Sequence, residues 1–74
     1  MKIRYDRSVN AAYIYLVSQI EPGQVKNQYH CDIKKVRGMI NLDFDSEGRL
    51  LGIEVLDADH FLSKELLDQA EIIG

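Results

Sequence analysis

Two runs of alternating apolar and polar residues flank a polar turn that ends in glycine, and this feature constrains the fold more than any other. The apolar residues at every second position are Ile40, Leu42, Phe44, Leu51, Ile53 and Val55. Because side chains alternate between the two faces of a strand, each run places its apolar residues on one face. Residues 39–56 are therefore predicted to form a β-hairpin with its turn at residues 45–48.

The length of the turn sets the pairing of the two strands. A four-residue turn at residues 45–48 places Leu42 opposite Leu51. The same register places Ile40 opposite Ile53. A three-residue turn would instead pair polar with apolar positions and mix the two faces, so we expect the four-residue register.

Three further strands are predicted before the hairpin. Ile3 and Tyr5 alternate with charged residues, and residues 11–17 resume an extended pattern after a polar turn. The segment Glu21-Pro22-Gly23 is the clearest break, since proline fixes its own φ and glycine admits φ values closed to other residues. Residues 25–33 alternate again and are predicted to form a half-buried strand.

After Leu56 the apolar spacing becomes helical. The apolar positions with this spacing are Leu62, Leu66, Leu67, Ala70 and Ile73. Either Asp59 or Ser63 has the side-chain oxygen needed to cap such a helix. The sequence thus predicts a single α+β domain over residues 1–74, an antiparallel β-meander of about five strands with one C-terminal helix packed on one face.

Composition narrows the class of protein. The chain has 74 residues, a net charge of -3 and one cysteine, Cys31, which cannot close an internal disulfide. A chain of this size has a thin core, and oligomerisation is the remaining way to bury more surface. The N-terminus lacks the pattern of a signal peptide, and no segment approaches the ~20 apolar residues that span a bilayer. We expect a soluble cytoplasmic protein without a cofactor or a membrane contact, and the acidic charge disfavours nucleic acid.

The second face of the predicted sheet is the candidate contact surface, because one helix covers only one face. The apolar positions assigned to that second face are Tyr13, Tyr15, Val17, Leu50 and Leu56. Exposed apolar area of this kind on a small protein is typical of an interface. The sequence predicts self-association or binding of a small protein partner.

Three segments of the chain resemble one protein family. They are residues 2–6 (KIRYD), 11–16 (AAYIYL) and 41–58 (NLDFDSEGRLLGIEVLDA), which are similar to the domain-of-unknown-function family DUF2283. Asn10 stands where the family pattern usually has Asp. The family is prokaryotic and uncharacterised, so the resemblance implies a fold and no activity. Some members lie beside small toxin-like proteins, which implies an antitoxin-like role by analogy.

One acidic pattern resembles a calcium-binding loop. Its members, at the spacing of an EF-hand, are Asp43, Asp45, Glu47, Gly48 and Glu54. An EF-hand has a helix on each side of the loop, whereas strands are predicted here. We therefore expect a solvated turn in which Gly48 adopts the left-handed conformation, and no metal site.

The other candidates for chemistry are two histidines and a basic segment. His30 and Cys31 are adjacent in a strand and point to opposite faces, so they cannot form a catalytic dyad, and Cys31 is predicted to be a small buried residue. His60 lies near Asp57 and Asp59, where it could support a small acid-dependent enzyme. A basic segment formed by Lys34, Lys35 and Arg37 could support weak nucleic-acid binding. These two functions are the alternatives to an interaction module, and no catalytic residue is predicted.

Overall fold

The computed structural model describes residues 1–31 and 39–74 and shows mostly β structure in a broadly α+β fold. The elements are β1 (Lys2–Asp6), β2 (Ala11–Tyr15), β3 (Asn27–Cys31), β4 (Met39–Phe44), β5 (Leu50–Leu56), α1 (Ala58–Phe61), α2 (Lys64–Asp68) and β6 (Glu71–Ile73). The described strands form one six-stranded sheet in the order β3-β4-β5-β2-β1-β6. Neighbouring strands are antiparallel except β1 and β6, which are parallel, so the sheet is mixed rather than the predicted meander.

The single C-terminal helix predicted from the spacing is wrong. Two short helices occupy its place, and the chain is extended at Leu62 between them. Ser63 begins α2 as predicted, because its Oγ accepts a hydrogen bond from the N–H of Leu66 at 3.1 Å, whereas Asp59 lies within α1. The last residues, Glu71–Ile73, leave the helix and pair with β1. The open edge of β1 offers these partly β-branched residues backbone hydrogen bonds that a frayed helix end lacks.

The predicted hairpin is present, but its register differs by two residues. Leu42 pairs with Ile53, not with Leu51, and Ile40 pairs with Val55. The connection contains five residues, 45–49, instead of four, and a register shift between Asp43 and Phe44 adds the second residue of the difference. Since the shift involves an even number of residues, the apolar residues of both strands still share a face.

Hydrogen bonds within the turn account for one residue of this difference. Asp45 Oδ1 accepts hydrogen bonds from the N–H groups of Glu47 and Arg49, both at 2.9 Å, and the N–H of Gly48 donates to the Asp45 carbonyl at 3.1 Å. Gly48 has the predicted left-handed conformation, with φ of 78°. These bonds close a five-residue loop and move the pairing away from the four-residue register.

The strands before the hairpin are present as predicted, but some of them begin or end at other residues. β1 and β2 pair as predicted, but β2 ends at Tyr15 rather than Val17. The predicted break contains a turn in which the N–H of Gln24 donates to the Glu21 carbonyl at 3.0 Å. β3 begins at Asn27, and the end predicted at Ile33 lies outside the described residues, as do Lys34, Lys35 and Arg37.

Cross-strand partners share a face of the sheet, so the register defines two apolar rows on the face toward α1, which we call the first face. The core row consists of Tyr5, Ala12, Val55, Ile40 and Cys31, and the apolar row of Ile3, Ile14, Ile53, Leu42 and Tyr29. Ala58 packs against the core row and is fully buried with Ala12 and Val55. The apolar row is half-buried for most of its length and ends at Tyr29, which is 61 % exposed.

Candidate functional site

The opposite face of the sheet, the second face, is polar at its centre. Its first row contains Lys2, Tyr15, Gly52, Asp43 and Gln28, and its second row Glu71, Arg4, Tyr13, Glu54, Asn41 and His30. A third row, with Asp6, Ala11, Leu56, Met39 and Ile73, is mainly apolar. The sequence indicated apolar area on this face, and the structure shows that apolar area only along one side of it.

Asp43 organises the first part of the polar centre. The Tyr13 hydroxyl donates to Asp43 Oδ2 at 2.6 Å, and Gln28 Nε2 donates to Oδ1 at 2.8 Å. These neighbours leave the Asp43 side chain only 6 % exposed. Burial, followed by the hydrogen bond to the Asp43 carboxylate, raises the pKa of Tyr13 far above its usual range. The phenol is therefore a fixed hydrogen-bond donor and not an acid or base at neutral pH.

Gly52 provides the space for that phenol. A Cβ atom at position 52 would lie 2.4 Å from Cε1 of Tyr13 and 2.5 Å from its hydroxyl oxygen. Only glycine leaves room for the ring to cross β5 and reach Asp43 on β4. The requirement is steric, since the φ of Gly52 is not in the left-handed region.

Asn41 makes the other hydrogen bonds in the polar centre of the second face. It is 3 % exposed, and its Nδ2 donates to Glu54 Oε1 at 2.7 Å. Its Oδ1 contacts His30 Nδ1, and because that oxygen can only accept, Nδ1 carries the proton. Among the described residues, every buried side-chain nitrogen and oxygen has a hydrogen-bond partner. A network satisfied in this way holds the strands in place.

A shallow cavity of about 190 Å³ lies beside the network, over β1 and β2. Tyr13, Tyr15 and Glu54 line it, and the two tyrosine rings have centroids 4.9 Å apart. The nearby cations have partners, since Lys2 Nζ lies 4.7 Å from the Tyr15 ring centroid and Arg4 Nε lies 3.5 Å from Glu71 Oε2. The volume is below the ~300 Å³ at which ligand pockets usually begin.

The structure brings together three of the five residues predicted to form an interface. Tyr13, Tyr15 and Leu56 lie on the second face. Leu50 pairs with Phe44 at the register shift, and Val17 lies beyond the end of β2. Both of these side chains are exposed. A contact through these five residues stays a prediction.

The side chains that the sequence offered as candidates for catalysis or metal binding do not form a common site in the structure. His30 lies on the second face and Cys31 on the first, as their adjacency in a strand predicts, and Cys31 is half-buried. Of the calcium-like pattern, Asp43 belongs to the second-face network and Asp45 binds backbone N–H groups of its own turn. The described residues contain no cluster of three or more acidic, histidine or cysteine side chains suited to a metal ion.

Asn10 connects the two acids near His60, a role that sequence analysis missed. Its Nδ2 donates to Asp57 at 3.1 Å and to Asp59 at 2.7 Å. Its Oδ1 accepts from the Tyr5 hydroxyl at 2.9 Å and from the N–H of Asp59 at 3.1 Å. Asn10 has φ of 53°, and asparagine at the end of a polar turn is the signal that could have identified it. The His60 ring lies edge-on to Phe61, with centroids 5.7 Å apart.

Comparison with known proteins adds one result. A family model described as "Protein of unknown function (DUF2283)" matches residues 2–58, from β1 to the start of α1. No curated protein and no solved structure matches the chain. Within the described residues, no helix has the length and apolar character needed to cross a bilayer. Since the family model covers most of the sequence, the chain belongs to the DUF2283 family of proteins of unknown function.

Proposed function

We propose that this protein is a protein–protein interaction module that self-associates. The observation that carries the proposal is the apolar row of the first face, which runs across five strands and ends at the exposed Tyr29. The two helices contain four and five residues, and α1 packs above the core row beside it. The proposed partner is a second copy of the chain, and an antitoxin-like complex with another protein is the alternative partner.

The small core supports this proposal. Only four hydrophobic residues are buried in the described chain, and three of them are Ala12, Ala58 and Val55. Covering 100 Å² of apolar surface contributes about 2.5 kcal/mol. A contact that covers 100 Å² at the exposed Tyr29 end of the row would therefore supply, before the entropic cost of association, about a third of the stability of a 74-residue domain at roughly 0.1 kcal/mol per residue.

The other functions have no comparable support among the described residues. The second-face network is satisfied internally, and the raised pKa of Tyr13 removes it as a neutral-pH acid or base. Lys2 and Arg4 already contact Tyr15 and Glu71. An acid-dependent enzyme would require an unsatisfied acid in a cleft, and the basic segment on which nucleic-acid binding depends, Lys34, Lys35 and Arg37, lies outside the described residues.

Sedimentation velocity from micromolar to near-millimolar concentration tests the proposal. We expect a species of twice the 8.5 kDa chain mass that is lost in Tyr29→Ser, a substitution at an exposed side chain. Tyr15→Ser on the second face is the matched variant and should leave the assembly intact. Circular dichroism checks that both variants fold. A wild-type monomer throughout would refute self-association, and loss only in Tyr15→Ser would place the contact on the second face.

A further inference from the structure

The outer edge of β3 lacks the features that usually prevent strands from pairing between molecules. Among the described strands, β3 lies at one end of the sheet, and its five residues include no lysine, arginine, acid or proline. Its pairing with β4 runs through five regular positions, from Asn27 opposite Phe44 to Cys31 opposite Ile40. Natural sheets protect an edge with charges, proline, bulges or very short strands. The opposite edge follows this rule, since β6 has three residues and begins with Glu71.

We propose that β3 pairs with β3 of a second copy, antiparallel and with Tyr29 on the two-fold axis. This inference rests on the proposed self-association and gives it a geometry. A contact around a two-fold axis uses the same surface on both copies, so the strand must be complementary to itself. The two sheets would become one continuous sheet.

β3 meets that requirement. With Tyr29 on the axis, Gln28 lies opposite His30 of the second copy, and Asn27 lies opposite Cys31 of the second copy. No like charges meet, and the two Tyr29 rings are neighbours, which is a favourable cross-strand pair. This register pairs all five residues of the strand.

The apolar row favours the same arrangement. Tyr29 is its most exposed member and its last on this side of the sheet. A register offset of an odd number of residues would turn the first face of one copy toward the second face of the other. Placing the axis at Tyr29 keeps the faces aligned, so the apolar rows of the two copies join through the two tyrosines.

The strand is also held ready for pairing. Gln28 donates to Asp43, and His30 contacts Asn41, so side chains on both sides of Tyr29 are tied to β4. The strand is thus ordered before a second copy arrives. A preordered edge loses less conformational entropy when it binds.

Disulfide formation tests the register, with native Cys31 as one partner. In the proposed pair, the cysteine of Asn27→Cys lies opposite Cys31 of the second copy. Directly opposed residues in an antiparallel pair have Cα atoms about 4.5–5.5 Å apart, within the range for a disulfide. We expect mild oxidation to give a dimer linked between these two positions, identified by peptide mass spectrometry and reversed by reductant.

The controls follow from the same geometry. In the wild type, Cys31 and its copy are four residues apart along the strand, about 13 Å, and should not link. Asn27→Cys combined with Cys31→Ser should not link for the same reason. Ser18→Cys, at an exposed position outside the strands, reports the rate of random collision. Linking of Ser18→Cys as fast as Asn27→Cys would overturn the proposal.

Sedimentation separates the two ways in which the idea can fail. If the wild type forms dimers but Asn27→Cys does not link, the pairing of β3 is wrong and self-association stands. If the wild type is a monomer at every concentration, both are wrong. Tyr29→Lys provides a second test, because it places like charges on the axis and should abolish the dimer where the wild type forms one. A Tyr29→Lys variant that stays dimeric would overturn the geometry.

Discussion

Replacing Asn10 with alanine should destabilise the fold, because the half-buried Asn10 side chain joins the β1–β2 turn to Asp57 and Asp59 at the start of α1. The side chain makes four hydrogen bonds, to the Tyr5 hydroxyl, to Asp57 and twice to Asp59. The residue also has positive φ, 53°, a conformation that asparagine tolerates better than alanine. Asn10→Ala therefore removes the bonds and adds backbone strain.

The expected loss is about 3 kcal/mol. Each hydrogen bond contributes about 0.5–1.5 kcal/mol, and those to Asp59 count toward the lower end because they are exposed. The left-handed conformation costs alanine about 1 kcal/mol more. A domain of this size has a stability of roughly 4–11 kcal/mol, and at about 4–8 °C per kcal/mol the midpoint of thermal unfolding should fall by about 12–24 °C.

Two matched variants separate the contributions at Asn10. Asn10→Gly loses the hydrogen bonds but accepts positive φ, so it should be more stable than Asn10→Ala by about 1 kcal/mol. Asn10→Asp keeps an acceptor for Tyr5 but places a third carboxylate beside Asp57 and Asp59, which raises its own folded-state pKa. Its deficit should therefore be present at neutral pH and shrink as the pH falls through that raised pKa.

Urea unfolding followed by circular dichroism measures all three variants. Equal losses in Asn10→Ala and Asn10→Gly would show that backbone strain contributes nothing. A loss below about 1 kcal/mol in Asn10→Ala would refute the connecting role of the side chain, because bonds of this number cannot sum to so little.

Three further outcomes follow from the second face and the turn. Burial and Asp43 raise the pKa of Tyr13, so the stabilising contribution of Tyr13 is complete below the usual tyrosine pKa of about 10 and is lost as the pH rises through the raised pKa. In an ultraviolet titration, the absorbance of ionised tyrosine should differ between wild type and Tyr13→Phe only as the pH rises through that raised pKa. The hydrogen bond from the N–H of Arg49 lowers the pKa of Asp45, so the stabilising contribution of Asp45 is complete above the usual aspartate pKa of about 3.9 and is lost as the pH falls through the lowered pKa. In urea unfolding, Asp45→Asn should be less stable than wild type at neutral pH and should lack that loss of stability in acid. Gly52→Ala should cost about 2 kcal/mol in thermal unfolding through its clash with the Tyr13 ring, and the added change Tyr13→Ala should relieve the clash; equal stability of Gly52→Ala and wild type would contradict the steric argument.

Sequence reasoning identified local structure better than distant contacts. The alternation in residues 39–56 was sufficient to predict the hairpin and the face of its apolar residues. It could not predict the register, because the hydrogen bonds that Asp45 makes within the turn lengthen the loop by one residue and a register shift between Asp43 and Phe44 adds a second. The candidate site was missed for a related reason: alternation marks Asp43 and Asn41 as polar but does not show that they are buried by neighbours from other strands.

The amino-acid sequence by itself determined the strands β1 to β5, the faces to which their side chains point, and the family, because each follows from the order of residues along the chain. The tertiary structure decided which residues meet. Tyr13 and Asp43 are 30 positions apart, and Asn10 and Asp59 are 49 apart, and no local pattern couples such pairs. It also decided the fate of Glu71–Ile73, whose spacing fits a helix but whose backbone gains hydrogen bonds only where the folded sheet offers the free edge of β1.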